Sequence, residues 1–322
     1  MQLLKRIWGS VRKALPKALK TCLWLFKIIL PISLLVRLLQ YSGWLDLFSG
    51  YLNPVFSGMG LPGETAIIFL TSIFTPLYAP IALITSMSLS VREATILAMM
   101  CLISHNLFVE CSIQAKTGSS WVGMFILRIV MSFVAAFSLN AVMPQYDALM
   151  AQSGGSAVAC NSLGEVFLLW AESSLSVIVT ILWVVTALMI LHYVLEEFKL
   201  MRKLSGYFKP LMRVFGLSDN SAMLWLIGNM VGLAYGGAIM IEQIDEKQIT
   251  LEESDLLNYH LAMSHSLLED SLIFSALGIP VFWVVAPRIV FAMAVVWTKR
   301  FLTNAWERVL QGRFKTRQNL NR

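Results

Sequence analysis

Two polar sets stand inside apolar sequence with one spacing. Ser104-His105, followed by Asn106, leads to Glu110 and Arg128; Ser264-His265 leads to Asp270 and Arg288, and each matched member is displaced by 160 residues. A displacement shared by so many members marks an internal duplication. The residue types are those of ion and solute binding. Imidazole switches charge near neutral pH, and guanidinium holds carboxylates or anionic solutes through paired hydrogen bonds. Within a bilayer such groups need a partner, a water-filled cavity or a route to the interface. The same set in both halves points to a site at the repeat interface of a transporter-like protein. There His105, His265, Glu110 and Asp270 would bind a coupling H+ or Na+, and Arg128 and Arg288 would neutralise carboxylates or solute.

The surroundings require a membrane. Of 322 residues, 57% are hydrophobic and 14% charged, and several apolar runs approach the ~20 residues that cross a bilayer. The net charge of +6 does not imply nucleic acid, because Lys and Arg gather in three clusters flanking apolar runs. These are Lys5–Lys20, Lys199–Arg213 and Lys299–Arg322. Cys22, Cys101, Cys111 and Cys160 form no CxxC pair; the first three lie in apolar segments as small hydrophobes. No motif calls for a cofactor.

The expected fold class is an all-α polytopic membrane protein, an inverted-topology repeat of about six transmembrane helices plus two re-entrant helical hairpins. Residues 1–20 read as a basic amphipathic helix on the inner membrane surface. Residues 21–143 form the first repeat, 144–170 an external linker, 171–302 the second repeat and 303–322 a basic cytoplasmic tail. Within the first repeat, spans cover about 22–43, 94–115 and 121–143, with a connector over 44–63. The second repeat has spans at 171–195, 255–277 and 281–302, with a connector running to Gly216-Leu217. The hairpins are 64–88, interrupted by Pro76 and Pro80, and 219–242, where Gly232 and Gly236 fall at a displacement of 156. Proline and glycine both ease departure from the helix, and paired interruptions point to discontinuous helices at a binding site. A kinked continuous span is the alternative. Positive charge concentrates inside, which places both termini in the cytoplasm of a bacterial inner membrane and residues 44–63 and 144–171 outside. Three crossings per half then follow if each hairpin returns to its own face. Arg37 and Arg92 fit this scheme less well.

Within the spans, Arg128 and Arg288 each lie seven residues past a helix start, about 10 Å deep. They face either a carboxylate or a solute, or else snorkel. On an unbroken helix His105 and Glu110 would point about 140° apart, so they share a site only if the helix bends. His265 and Glu269, four residues apart, share a face. Each histidine is alternatively a hydrogen-bonded core residue. As metal ligands the set is unpromising, since there is no HExxH and no compact ligand cluster. Asn229, near the tip of the second hairpin, is a candidate for solute contact, with Thr71-Ser72 and Thr75 its first-half counterparts. Glu64-Thr65 and Asn220-Ser221 are placed to cap helix starts.

The paired Gly-Leu hairpin starts (Gly60-Leu61, Gly216-Leu217) and Ser-His-x4-Glu/Asp in each half resemble the nucleoside-recognition or gate domain family. That family is similar to the core of concentrative nucleoside transporters, the gate domains of ferrous-iron transporter B proteins and spore-maturation proteins A and B. The resemblance implies two gate units in one chain with re-entrant hairpins. The P-loop pattern Gly-x4-Gly-Lys-Ser/Thr does not occur. The expected function is secondary transport of a small polar solute, anionic or nucleoside-like, by alternating access in a homodimer. The alternative is a non-transporting membrane protein that assembles with envelope or signalling partners, its polar repeats serving as glue between helices. No nucleophile–base arrangement argues for an enzyme.

Overall fold

The computed structural model describes residues 2–145, 148, 162–198 and 200–320. Among them the chain is helical, with no strand. The first seven helices are α1 (Gln2–Tyr41), α2 (Trp44–Gly58), α3 (Ala66–Phe74), α4 (Tyr78–Ser86), α5 (Val91–Ser104), α6 (Leu107–Lys116) and α7 (Trp121–Val142). The next seven are α8 (Leu163–Glu197), α9 (Leu200–Val214), α10 (Ala222–Met230), α11 (Leu233–Asp245), α12 (Leu251–Ser264), α13 (Leu267–Ala276) and α14 (Val281–Leu320). Helices α9 and α10 repeat α2 and α3 at a displacement of 156, and α12 to α14 begin 160 residues after α5 to α7.

Local chemistry explains the repeated boundaries. Gly60 and Gly216 adopt positive φ (72° and 75°), and Leu61 and Leu217 donate back to the carbonyls of Phe56 and Met212. This is the glycine-terminated C-cap, so the Gly-Leu pairs end α2 and α9. A capping box starts α5, where Ser90 accepts from the Glu93 amide while the Glu93 carboxylate accepts from the Ser90 amide. Thr250 and Glu253 do the same for α12. Both boxes satisfy helix-start donors that would otherwise lack partners.

Several sequence expectations change. The basic N-terminal segment is not a separate surface helix, since α1 continues from Gln2 through the first apolar run despite Pro16 and Pro31. The segment 44–63 holds a helix, α2, where a connector was expected, and α9 occupies the matching place. Pro54 and Pro210 lie inside these helices. The C-terminal tail extends α14 as far as Leu320, and α8 begins at Leu163 within the expected linker. Cys160 and most of that linker fall outside the described residues.

Among the described residues, three helices are long and apolar enough to cross a bilayer: Trp121–Val142, Ile178–Leu195 and Val281–Ala305. The pair α5–α6, bent by 40° at its break, makes a fourth if counted as one span. In the interior α5 packs on α7 and α12 on α14, while α5 and α7 both contact α12 and α14 across the halves. On one side α1 lies against α8. Cys22, Cys101 and Cys111 are buried, as their apolar settings predict.

Candidate functional site

The Ser-His motifs sit where two repeated helix pairs, α5–α6 and α12–α13, break. Helix α5 ends at Ser104 and α6 starts at Leu107; Asn106 between them is left-handed, with φ 47°. In the second half Ser266 (φ 52°) separates α12 from α13. Such a conformation is strained for a residue with a Cβ, and neighbouring backbone holds it. The Asn106 amide donates to the carbonyls of Ser72 (2.8 Å) and Thr75 (2.9 Å), at the end of α3. The Ser266 amide donates to the Gly228 carbonyl of α10 at 2.9 Å. Each broken helix pair therefore docks on the interrupted segment before it. Those segments break at Thr75-Pro76-Leu77 and at Val231-Gly232. Gly232 has φ 97°, and a Cβ there would lie 2.9 Å from Ser266 Oγ, so backbone conformation and space both favour glycine. Pro80 and Gly236 lie inside α4 and α11 and do not break them.

The breaks bring the two histidines face to face. His105 and His265 ring centroids are 5.0 Å apart, and their Nε2 atoms 3.4 Å. Each Nδ1 faces a carbonyl one turn back, Cys101 at 3.1 Å and Leu261 at 2.8 Å. A carbonyl only accepts, so Nδ1 carries a hydrogen, and in the neutral imidazole Nε2 then presents a lone pair to the centre. Glu110 completes the group. Its Oε1 is 3.3 Å from His105 Nε2 and its Oε2 3.2 Å from His265 Nε2. The two imidazoles and the carboxylate are all buried, His265 to within 1%.

Two arginines brace this centre from α7 and α14. Arg128 is fully buried; its Nε donates to the Ile103 carbonyl at 2.6 Å and its Nη2 to that of His105 at 3.1 Å. Arg288 repeats the arrangement on the carbonyls of Met263 (2.9 Å) and His265. These carbonyls lie at helix breaks, where no amide of the next turn reaches them. The arginines thus replace the missing backbone donors, a structural role that spacing alone did not show. They also hold the acids. Arg128 Nη2 is 2.6 Å from Glu110 Oε2, while Arg288 Nη2 is 3.8 Å from Asp270 Oδ2. The Arg128 contact is an ion pair without hydrogen-bond geometry, so Glu110 Oε2 still lacks a hydrogen-bond partner, as does Asp270 Oδ2.

Other expected residues lie nearby in different roles. Ser104 and Ser264 donate into their own helices, to the carbonyls of Met100 and His260. Glu269 does not pair with His265, because the break at Ser266 ends the helical register between them; it accepts a 2.6 Å hydrogen bond from Tyr78 of α4. Asn229 is buried in α10, donating to the Trp225 carbonyl and leaving Oδ1 without a hydrogen-bond partner. Thr65 and Ser221 precede α3 and α10 with no side-chain cap, because a 3-10 turn comes first. Arg92, awkward in the charge pattern, donates from Nη2 to the Asn140 carbonyl (2.6 Å) and side chain (2.7 Å).

Sequence reasoning missed Tyr78 and a second buried polar group. Asn258 of α12 donates to Thr117 Oγ1 (2.8 Å) and Ser119 Oγ (3.0 Å), and Gln114 of α6 donates to the Asn258 carbonyl (3.0 Å). Ser254 adds a bond to the Thr117 carbonyl. The available signal was their polarity within apolar runs. Without a repeated spacing nothing singled them out.

Apolar helices long enough to cross a bilayer, packed around buried ionisable residues, define a helical membrane protein with a buried polar centre. The comparisons agree. The nucleoside recognition (Gate) family model matches residues 22–152. The chain is 30% identical over 287 residues to the uncharacterized membrane protein YvoD of Bacillus subtilis (strain 168), covering 87% of this chain and 91% of that one. The chain belongs to the Gate (nucleoside recognition) family. No solved structure matches it.

Proposed function

We propose that this chain is a secondary transporter that moves a small polar solute across a bacterial inner membrane by alternating access. The observation that carries this reading is the facing of His105 and His265 around Glu110, at breaks in two repeated helices. Breaks that meet inside the membrane are the arrangement in which transporters bind substrate and coupling ions. In this reading the pairs α5–α6 and α12–α13 each cross as one span. With α1, α7, α8 and α14 they make six, and α3–α4 and α10–α11 are re-entrant hairpins. The basic clusters put both termini in the cytoplasm and invert the second half. The His–Glu–His centre takes the coupling cation, and the hairpins beside it, with Asn229, face the solute. A homodimer supplies scaffold surface to so small a core, and the chain acts without enzymatic chemistry.

The competing reading is a non-transporting membrane protein whose polar repeats hold its helices together for envelope or signalling partners. The arginine bonds to break carbonyls and the Gln114–Asn258 group favour it. Uptake into proteoliposomes separates the two. A panel of nucleosides and small anionic solutes is offered under an imposed H+ or Na+ gradient, with wild type beside His105→Gln/His265→Gln. Gradient-driven uptake lost in the folded double variant is expected. Wild-type liposomes that are sealed yet take up no solute under either gradient would remove the transport reading.

A further inference from the structure

We infer that His105, His265 and Glu110 form a binding site for one divalent transition-metal ion of the Zn(II), Fe(II) or Co(II) kind. The inference deepens the reading of this centre as an ion site, and rests on that reading only for the ion's use in transport. The binding itself follows from the geometry.

With both imidazoles neutral, three acceptors converge on one point. Both Nδ1 hydrogens are committed to the carbonyls of Cys101 and Leu261. Both Nε2 atoms therefore bring lone pairs to within 3.4 Å of each other, and Glu110 brings carboxylate oxygens to 3.3 Å and 3.2 Å from them. Mutual repulsion of lone pairs and a carboxylate is relieved by a cation at their centre. The separations match those a metal would require. With bonds of about 2.0–2.1 Å, tetrahedral coordination puts neighbouring donor atoms roughly 3.3–3.4 Å apart. The donor atoms of the three residues all lie within 4.8 Å of one another.

The donor set selects the metal class. Two imidazoles and one carboxylate suit Zn, Fe and their neighbours, and leave coordination positions open for water or a solute. Ca2+ takes 6–8 oxygen donors and Mg2+ prefers oxygen with retained waters, so neither fits a nitrogen-rich group of three. The carbonyls behind each Nδ1 serve as the outer partners that fix a ligating histidine's tautomer and raise its basicity. Charge is accommodated locally. Arg128, 2.6 Å from Glu110 Oε2, offsets part of the charge of the carboxylate that faces both imidazoles. Asp270, held by Arg288, and Glu269, held by Tyr78, supply further buried acid on the neighbouring α13.

The test uses the full chain in detergent, stripped with a chelator and titrated with Co2+, then Zn2+, with Mg2+ and Ca2+ as controls. Expected are one Co2+ per chain with visible d–d bands, displacement by Zn2+ and none by Mg2+ or Ca2+. In His105→Gln and His265→Gln the affinity should fall beyond the ~100-fold seen when outer partners are removed, with helicity by circular dichroism unchanged. Pulsed EPR of the Cu2+-loaded wild type requires no variant and should report two coupled imidazoles. Absence of Co2+ bands in the wild type, bands unchanged in the His105→Gln/His265→Gln protein, or one or no imidazole coupled to Cu2+ would each overturn the inference. Metal bound without solute uptake leaves the site standing and removes transport. Gradient-driven uptake by a protein that binds no metal does the reverse.

Discussion

The halves of this molecule share a backbone plan but differ by one methylene at the place where they meet. Both helix pairs break two residues after the matched serine, both histidines turn inward, and both arginines cap the broken ends. Glu110, the longer acid, contacts both imidazoles and lies 2.6 Å from its arginine. Asp270 remains 3.8 Å from Arg288, outside the group of three. A duplicated motif therefore yields one shared centre and not two. The histidines meet between the halves, and a second carboxylate beside Glu110 would add like-charge repulsion in a medium that screens it poorly. Asymmetry continues around Asp270. Its neighbour Glu269 stands where the first half has Val109, and takes its hydrogen bond from Tyr78 of the other half.

The comparison can be broken most forcefully at the arginines. Arg128→Ala strips donors from two carbonyls and leaves Glu110 buried without its counter-charge; removing one partner of a buried pair costs about 3–5 kcal/mol. Arg288→Ala loses the same carbonyl bonds but a looser ion pair, so its drop in thermal unfolding temperature should be the smaller. Equal drops would mean that carbonyl capping, common to both halves, is the whole effect.

Exchange of the acids sharpens the point about side-chain length. Glu110→Asp withdraws the carboxylate from both imidazoles and should weaken Co2+ binding beyond ~100-fold. Adding Asp270→Glu should restore part of it by rebuilding the centre from the second half. If the double exchange binds no better than Glu110→Asp alone, the surrounding α13 environment governs the asymmetry and side-chain length does not.

The smallest effect should also be the most symmetric. Ser90→Ala and Thr250→Ala each remove an N-cap that closes a capping box. Each should cost about 1 kcal/mol. A difference between them well above that size in equilibrium unfolding would show that the two halves differ in stability far from the centre as well.

Much of this organisation is written in the residues themselves. Apolar composition fixes the helical membrane class, because backbone polar groups in lipid must be satisfied within the segment. The displacement of 160 pairs His105 with His265 and Arg128 with Arg288. Pro76 and Gly232 mark the interruptions before each motif. Breaks at Asn106 and Ser266 were not legible, since neither residue is a strong helix breaker; the left-handed turn exists because carbonyls of α3 and α10 accept its amides. The metal-ligand group was hidden for a related reason. Sequence motifs report ligands close along one chain segment, whereas here one ligand comes from 160 residues away. Which side chains are available, and that they come in pairs, is set by the order of residues alone. That the pairs converge on one centre with one carboxylate emerges in three dimensions, because it depends on how two bent helices cross and on the reach of a single methylene.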